Sequence, residues 1–228
     1  MAAPGRIELY SYFRSSASYR VRIALNLKGL AYQSIAVHLV KDGGQQLSDA
    51  YRLLNPDGLV PAMRIADGDG EPAAATVLTQ SLALIEYLEE TNPHPALLPS
   101  RPADRAWVRS IALSIACDIH PVNNLRVLRY LTDRLGVTEA DKNGWYRHWC
   151  EQGLAALELT LTRDQRVGRF CFGDTPGIAD CCLIPQVMNA QRFKCDLSAM
   201  PTISRINEAC MALPEFQAAA PSAQSDAE

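Results

Sequence analysis

Three serines stand at one strand-to-helix junction. The run Tyr12-Phe13-Arg14-Ser15-Ser16-Ala17-Ser18-Tyr19 follows the apolar strand pattern Ile7-Glu8-Leu9-Tyr10 and leads into the helical pattern Val21-Ile23-Ala24-Leu25-Leu27. The first N–H groups of a helix have no intrahelical partner, and the positive end of its dipole points the same way. Such a place holds an anion well. For a thiolate, donors there favour the charged form and lower its pKa. The turn contains no cysteine, so a thiolate must arrive with a ligand. Ser15 fits an ordinary helix N-cap equally well, a role serine prefers.

Two further junctions carry candidate chemistry. Val60-Pro61 stands at the entry to a strand, where proline is tolerated because no ladder donor is needed. A cis bond there would turn the Val60 backbone outward to pair with a peptide-like ligand. Gln80-Ser81 lies at a second strand-to-helix junction, with Ser81 either a plain N-cap or a donor to a carboxylate. Two such junctions in one small sheet suit a ligand with several anionic groups. The four histidines and seven cysteines are scattered, without a C-x-x-C pair, so neither a metal site nor a disulfide framework is expected.

The elements that must position these residues change character along the chain. Residues 1–91 alternate: a strand at about 6–11, a helix at about 17–29, a strand at 32–39, a short helix ending near Asn55-Pro56-Asp57-Gly58, strands at 61–65 and 75–78 flanking the turn Asp67-Gly68-Asp69-Gly70, and a helix at about 81–91. That order implies a mixed sheet covered by helices. A proline-rich linker at 92–102 separates it from an all-helical part over 103–217, with helices at about 103–135, 138–162, 177–190 and 201–213. Pro121 is expected to break or kink the first of these. The small, polar segment 218–228 reads as a mobile tail.

Composition narrows the function classes. With 228 residues, 48% hydrophobic and 21% charged, the chain matches an ordinary globular protein. No stretch approaches the ~18 apolar residues of a membrane helix, and the start Met-Ala-Ala-Pro-Gly-Arg lacks a signal core, so a cytoplasmic location is expected. A net charge of −3 and the lack of a basic stripe argue against nucleic acid as a partner. Of the 22 basic residues 18 are Arg, which suits small carboxylate substrates, as it also suits a biased genome.

Taken together, Leu9-Tyr10-Ser11-Tyr12-Phe13-Arg14-Ser15-Ser16, Arg20-Val21-Arg22-Ile23-Ala24-Leu25, Lys41-Asp42-Gly43-Gly44-Gln45-Gln46, Asn55-Pro56, Val60-Pro61, Gln80-Ser81, Ile85-Glu86-Tyr87-Leu88-Glu89-Glu90, Leu97-Leu98-Pro99, Pro185-Gln186-Val187, Asn189-Ala190-Gln191-Arg192-Phe193 and Asp196-Leu197 span nearly the whole chain. The sequence so marked resembles the zeta-class glutathione transferases, the maleylacetoacetate and maleylpyruvate isomerases. The resemblance implies an α/β thioredoxin-like N-terminal domain followed by an all-α C-terminal domain, glutathione as cofactor, and a homodimer. It places Ser15 beside the glutathione sulfur, with Ser16 and Ala17 lining the site. Gln46, Val60, Gln80 and Ser81 match residues that hold the tripeptide. His120, Asn123 and Asn124 fall where the helical part closes over it, although His120 alone also fits a structural histidine.

The substrate class so implied is a small anionic cis-enedione, isomerised to the trans form by addition and expulsion of the glutathione thiolate. Arg14, Arg126 and Arg192 are the candidates to hold it and to stabilise developing charge, while Arg192 also suits a helix C-terminus. The stretch Lys41–Gln46 resembles that of maleylacetoacetate isomerases, acting in aromatic amino acid breakdown. Arg126 resembles that of maleylpyruvate isomerases of gentisate degradation. The first substrate is favoured narrowly; a transferase of broader specificity and a non-catalytic binding protein are the alternatives. Two positions depart from the family pattern. Ala17 replaces the usual cysteine, so no enzyme thiol can act there. Gly177 replaces the usual Ser or Thr three residues before Asp180; a loss of only a few tenths of a kcal/mol relative to Ser is expected, with Asp180 structural.

Overall fold

The computed structural model describes residues 6–66 and 75–228, which form two compact units. The predicted turn at Asp67-Gly68-Asp69-Gly70 lies outside the described residues. The first unit is built on a four-stranded sheet of β1 (Arg6–Ser11), β2 (Gln33–Ala36), β3 (Ala62–Ala66) and β4 (Thr76–Thr79), in the order β2-β1-β3-β4. β1 and β2 are parallel, whereas β3 is antiparallel to both β1 and β4. A parallel pair needs a long crossover, and α1 (Ser16–Leu27) supplies it. Short α2 (Asp49–Leu54) precedes β3, and α3 (Ser81–Thr91) follows β4.

Helix α1 buries Tyr19, Val21, Ile23, Ala24 and Leu25, and α3 buries Leu84, Ile85 and Leu88, and the two helices pack against each other. Lys28 closes the far end. Its ammonium meets Glu89 at 2.6 Å and the carbonyls of Asn92 and Pro95 at 2.6 and 2.9 Å. A buried charge with this many partners is tolerated where an unpaired one would not be.

The chain end belongs to this first unit, which corrects the expectation of a helical part to 217 and a mobile tail beyond. α9 (Pro214–Ala219) packs on α1, with Phe216 and Ala219 fully buried. Three α1 side chains reach its backbone: Tyr19 Oη to Phe216 O (3.2 Å), Arg22 Nε to Ala219 O (2.9 Å) and Asn26 Nδ2 to Glu215 O (2.9 Å). Residues 214–228 group with 1–96, and the second unit spans 97–213. The reason is in the side chains: Tyr19, Arg22 and Asn26 have donors that the N-terminal elements leave for the returning chain.

The second unit is helical: α4 (Pro102–Leu113), α5 (Leu125–Asp133), α6 (Glu139–Arg163), α7 (Ile178–Arg192) and α8 (Pro201–Met211). α4 widens into a π-helical segment at Ser114–Ile119, and a short 3-10 turn at Pro121–Asn123 precedes α5, so the expected helix over 103–135 is interrupted on both sides of His120. Gly153 on α6 lies so close to the π segment that a Cβ there would meet Ile119 Cγ1 at 2.4 Å.

At the start of α7 the structure overturns the expectation for Gly177. The Asp180 carboxylate accepts the Gly177 N–H at 2.8 Å and the Cys171 N–H at 2.9 Å, as a structural cap. Yet a Cβ at Gly177 would meet Leu97 O at 2.7 Å, because Ile178 N donates to that same carbonyl at 3.0 Å. Glycine stands there for close backbone approach, not as a weak substitute for serine.

Candidate active site

The register of the sheet brings the candidate residues of the first unit to one edge. Tyr10 of β1 pairs with Ala62, the first residue of β3, and Ala62 pairs with Thr79, the last residue of β4. The Ser11–Ser16 segment, Val60-Pro61 and Gln80-Ser81 therefore leave the sheet side by side. β2 ends there as well, since Ser11 pairs with Ala36 and Val37 N donates to Ser11 O at 2.8 Å. Beneath this edge lies a cluster of Tyr12, Phe13, Val37, Tyr51 and Val60.

Ser15 is the N-cap of α1 and is half-buried. Its Oγ accepts the Ser18 N–H at 3.2 Å, which satisfies one orphan donor of the helix. The two roles weighed for Ser15 are compatible, because a hydroxyl that accepts through a lone pair still has its proton to donate. In an α-helix the N–H groups of the first turn need no carbonyl of the helix itself, which leaves those of Ser16 and Ala17 facing the same region. Ser16 is buried, and Ala17 presents only a methyl where a thiol would stand in the family pattern. Arg14 is exposed, with its guanidinium 4.8 Å from the centre of the Phe13 ring.

The neighbouring loop is fastened around His38. Its Nδ1 accepts from Val40 N (3.2 Å) and Lys41 N (2.9 Å), while the His38 backbone N–H donates to Gln45 Oε1 (2.8 Å). Gln46 is buried against this loop, its Nε2 donating to Leu39 O at 3.4 Å. Gly44, at φ +107°, makes room for it: a Cβ would meet Gln46 Nε2 at 2.7 Å. Gln46 Oε1 is buried without a partner among the described residues. Buried polar atoms are normally hydrogen-bonded, so this oxygen suits a ligand donor such as an amide N–H.

The Val60–Pro61 peptide is cis, the sharper of the two possibilities raised for it. Leu59 O, just before it, is held by Tyr51 Oη at 2.7 Å and Asn55 Nδ2 at 2.8 Å. Burial pushes the Tyr51 phenol up to about 12, so it remains a donor. At the third junction the residues differ from expectation. Gln80, not Ser81, is the N-cap of α3, and it sits at φ +69°. Such a conformation costs a non-glycine residue about 1–3 kcal/mol and is commonest at functional sites. Ser81 is the first helical residue, buried, and its Oγ accepts from Arg20 Nη1 at 3.2 Å. The type of Ser81 favours a cap, but the backbone turn falls one residue earlier.

The remaining candidates lie in the helical unit. His120 is half-buried where the π segment ends. Asn123 is buried, its Nδ2 donating to Tyr146 O at 3.2 Å, while its Oδ1 has no partner among the described residues. Asn124 caps α5, its Oδ1 accepting the Arg126 N–H at 3.1 Å. Arg126 and Arg192 are exposed, Arg192 lying over the Phe193 ring at 5.3 Å. Phe193 stacks on Tyr146 at 3.5 Å between ring centres, so the 120–126 segment and the end of α7 both lean on Tyr146.

One functional residue escaped the sequence expectations. Arg22 is fully buried and donates to Ser11 Oγ (2.9 Å), Phe13 O (3.0 Å) and Tyr12 O (3.4 Å), supporting the serine turn from below. Its signal was visible: an arginine between Val21 and Ile23, in a stretch where the helix has no solvent face.

Comparison with known proteins agrees with this geometry. Residues 14–91 match the family model of the glutathione S-transferase N-terminal domain. The chain is 51% identical to a probable maleylacetoacetate isomerase of Vibrio cholerae, over 96% of this chain and 97% of that protein. It is 47% identical to a maleylpyruvate isomerase of a Ralstonia species, over 96% and 99%. Among solved structures, a maleylpyruvate isomerase described as a zeta-class bacterial glutathione transferase superposes with a TM-score of 0.89 at 47% identity, covering 97% of this chain and 100% of the other. A maleylacetoacetate isomerase of Anaeromyxobacter dehalogenans with bound glutathione gives 0.86 at 42% identity, over 99% of both. The chain therefore belongs to the glutathione transferase family, in its zeta class of maleylacetoacetate and maleylpyruvate isomerases.

Proposed function

We propose that the protein is a glutathione-dependent cis–trans isomerase of maleyl compounds. The carrying observation is the Ser15 hydroxyl at the N-terminus of α1, whose proton meets no acceptor among the described residues, with the first-turn N–H groups beside it. Glutathione, when bound, supplies a thiolate that adds reversibly to the activated cis double bond, allowing rotation to the trans isomer. The residues present fit that ligand, since a tripeptide needs backbone partners and the orphaned Gln46 Oε1 stands ready as an acceptor. Gln46, Val60, Gln80 and the Ser16 and Ala17 N–H groups would hold it. Ser81, already engaged by Arg20, would act through its position at the start of α3.

Ser15 Oγ donates its proton toward the sulfur and so keeps the charged form favoured. Arg14, Arg126 and Arg192 are exposed cations suited to the substrate carboxylates and to the charge that develops on addition. Ala17 removes any enzyme thiol from the turn, so the chemistry uses the thiol of the ligand alone. His120, Asn123 and Asn124 are the helical-unit candidates for glutathione, Asn123 with a buried, unpartnered Oδ1.

Maleylacetoacetate is the favoured substrate, from the resemblance at Lys41–Gln46, and Arg126 supports maleylpyruvate as the second. A side-by-side assay of both substrates, with and without glutathione, decides the matter. Turnover of neither, with glutathione present, would leave a transferase of broader specificity or a binding protein. We further infer a cytoplasmic homodimer: the cysteines form no disulfide among the described residues, as suits a reducing compartment, and dimerisation follows from the family resemblance.

A further inference from the structure

The last residues of the chain return to the edge of the sheet that carries Ser15. The Phe13 N–H donates to Asp226 Oδ2 at 3.0 Å, and the Phe13 carbonyl accepts from Arg22 Nη2 at 3.0 Å. Both peptide groups of Phe13 are thus held, two residues before Ser15. Tyr12 O accepts the Ser15 N–H at 2.9 Å and closes the turn. Arg22, which underpins this turn, also donates to Ala219 O, so the same guanidinium joins the turn to the returning chain. Its buried charge faces Asp226. Two residues further on, Glu228 pairs with Lys41 and lies 3.7 Å from His38 Nε2, on the loop that leads to Gln46. The end of the chain therefore straps together the two loops that carry Ser15 and Gln46.

This strap is not a piece of core. Ser225, Ala227 and Glu228 are exposed and Asp226 is half-buried, so the segment buries no large apolar side chain. What Asp226 does supply is a fixed acceptor for a peptide N–H that no strand or helix of the first unit uses. A displacement of about 1 Å at a reacting or binding group can cost up to about 100-fold in rate, so fixing the peptide ahead of Ser15 has a functional consequence out of proportion to its area.

We propose that Asp226 is a positioning residue for the glutathione site, acting through the Phe13 N–H to hold the turn that presents Ser15. The proposal rests on the assignment of Ser15 as the partner of the thiolate. Asp226→Ala leaves the N–H without its acceptor, whereas Asp226→Asn keeps an oxygen of the same shape in the same place. Full-length wild type, both variants and Ser15→Ala are compared by calorimetric glutathione affinity, by the KM for glutathione and by thermal melting. Asp226→Ala should raise the KM and Kd for glutathione about three- to tenfold, the loss of one hydrogen bond. Asp226→Asn should restore both to within about twofold of wild type, and the melting temperature should stay nearly constant across the Asp226 series.

Wild-type affinity in Asp226→Ala, or equal loss in Asp226→Asn and Asp226→Ala, overturns the proposal. If Ser15→Ala impairs the enzyme and Asp226→Ala does not, the positioning role alone fails. If Ser15→Ala is silent, the assignment of Ser15 fails and the proposal with it, even where Asp226→Ala has an effect. A fall in melting temperature that accounts for the lost binding would make Asp226 a structural residue only.

Discussion

At the residue scale the proposed function gives Ser15 two jobs with one hydroxyl. Its lone pair accepts the Ser18 N–H and its proton remains available to an anion. The two jobs can be separated. Ser15→Ala loses both and should lower turnover at least about tenfold, near the 1.4 kcal/mol of one lost charge-assisted bond, with about 1 kcal/mol of stability lost from the cap. Ser15→Asp keeps a good cap, so its melting temperature should stay close to wild type. At neutral pH it has no proton to donate, and its charge opposes a thiolate, so turnover should fall as far as in the alanine variant or further. Melting curves set against turnover at saturating glutathione check this, and an active Ser15→Asp enzyme would refute the donor role.

At the scale of elements, helix starts in the second unit are set by backbone approach and by borrowed carboxylates. Gly177 admits the Leu97 carbonyl to the start of α7. Gly177→Ser should therefore destabilise by about 1–3 kcal/mol, the usual cost of forcing atoms into a packed site, read as a lower melting temperature. The start of α8 is capped from α6: Glu158 accepts from Thr202 N at 2.9 Å and Ile203 N at 2.8 Å. Burial raises the Glu158 pKa, but these bonds and those of the Thr202 and Thr162 hydroxyls outweigh it and hold the carboxyl below its ordinary 4.5. A carboxyl depressed on folding contributes stability that is complete above its unfolded pKa and lost as pH falls through the folded one. The acid side of the melting profile, below about pH 4.5, should be shallower in Glu158→Gln than in wild type. Unchanged slope would show that the cap carries no linked charge.

At the scale of the whole molecule, the first unit is closed by the chain end. Phe216 is fully buried against α1 although nearly two hundred residues separate them. Phe216→Ala should cost about 3–5 kcal/mol, as expected for a fully buried aromatic, and hydrogen exchange should locate the loss in α1 and α9. Protection lost evenly over the chain, or not at all, would contradict that placement. The contacts of α9 with α1 thus join the segment after 213 to the helix that carries the serine turn, beyond the single contact of Asp226.

Much of this was legible along the chain, and the exceptions share a cause. β1, α1, α3 and α6 lie within two residues of where periodicity puts them, because apolar spacing reports directly on which side of an element is buried. The Ser15, Val60 and Gln80 junctions were likewise readable, since each is a local change from strand to helix or turn to strand. What eluded that reading depended on a partner distant in sequence. Ser81 is claimed by Arg20 and Gly177 by Leu97, Asn123 donates to Tyr146, Arg22 serves four oxygens from two ends of the chain, and the segment after 213 has its place only because α1 leaves donors for it. The sequence by itself determined the elements, the serine turn at the start of α1 and the resemblance to its family, all of which local patterning encodes. Only the tertiary structure decided which of these residues are buried and which partners they engage, because burial and hydrogen-bond partnership arise from contacts that no local pattern contains.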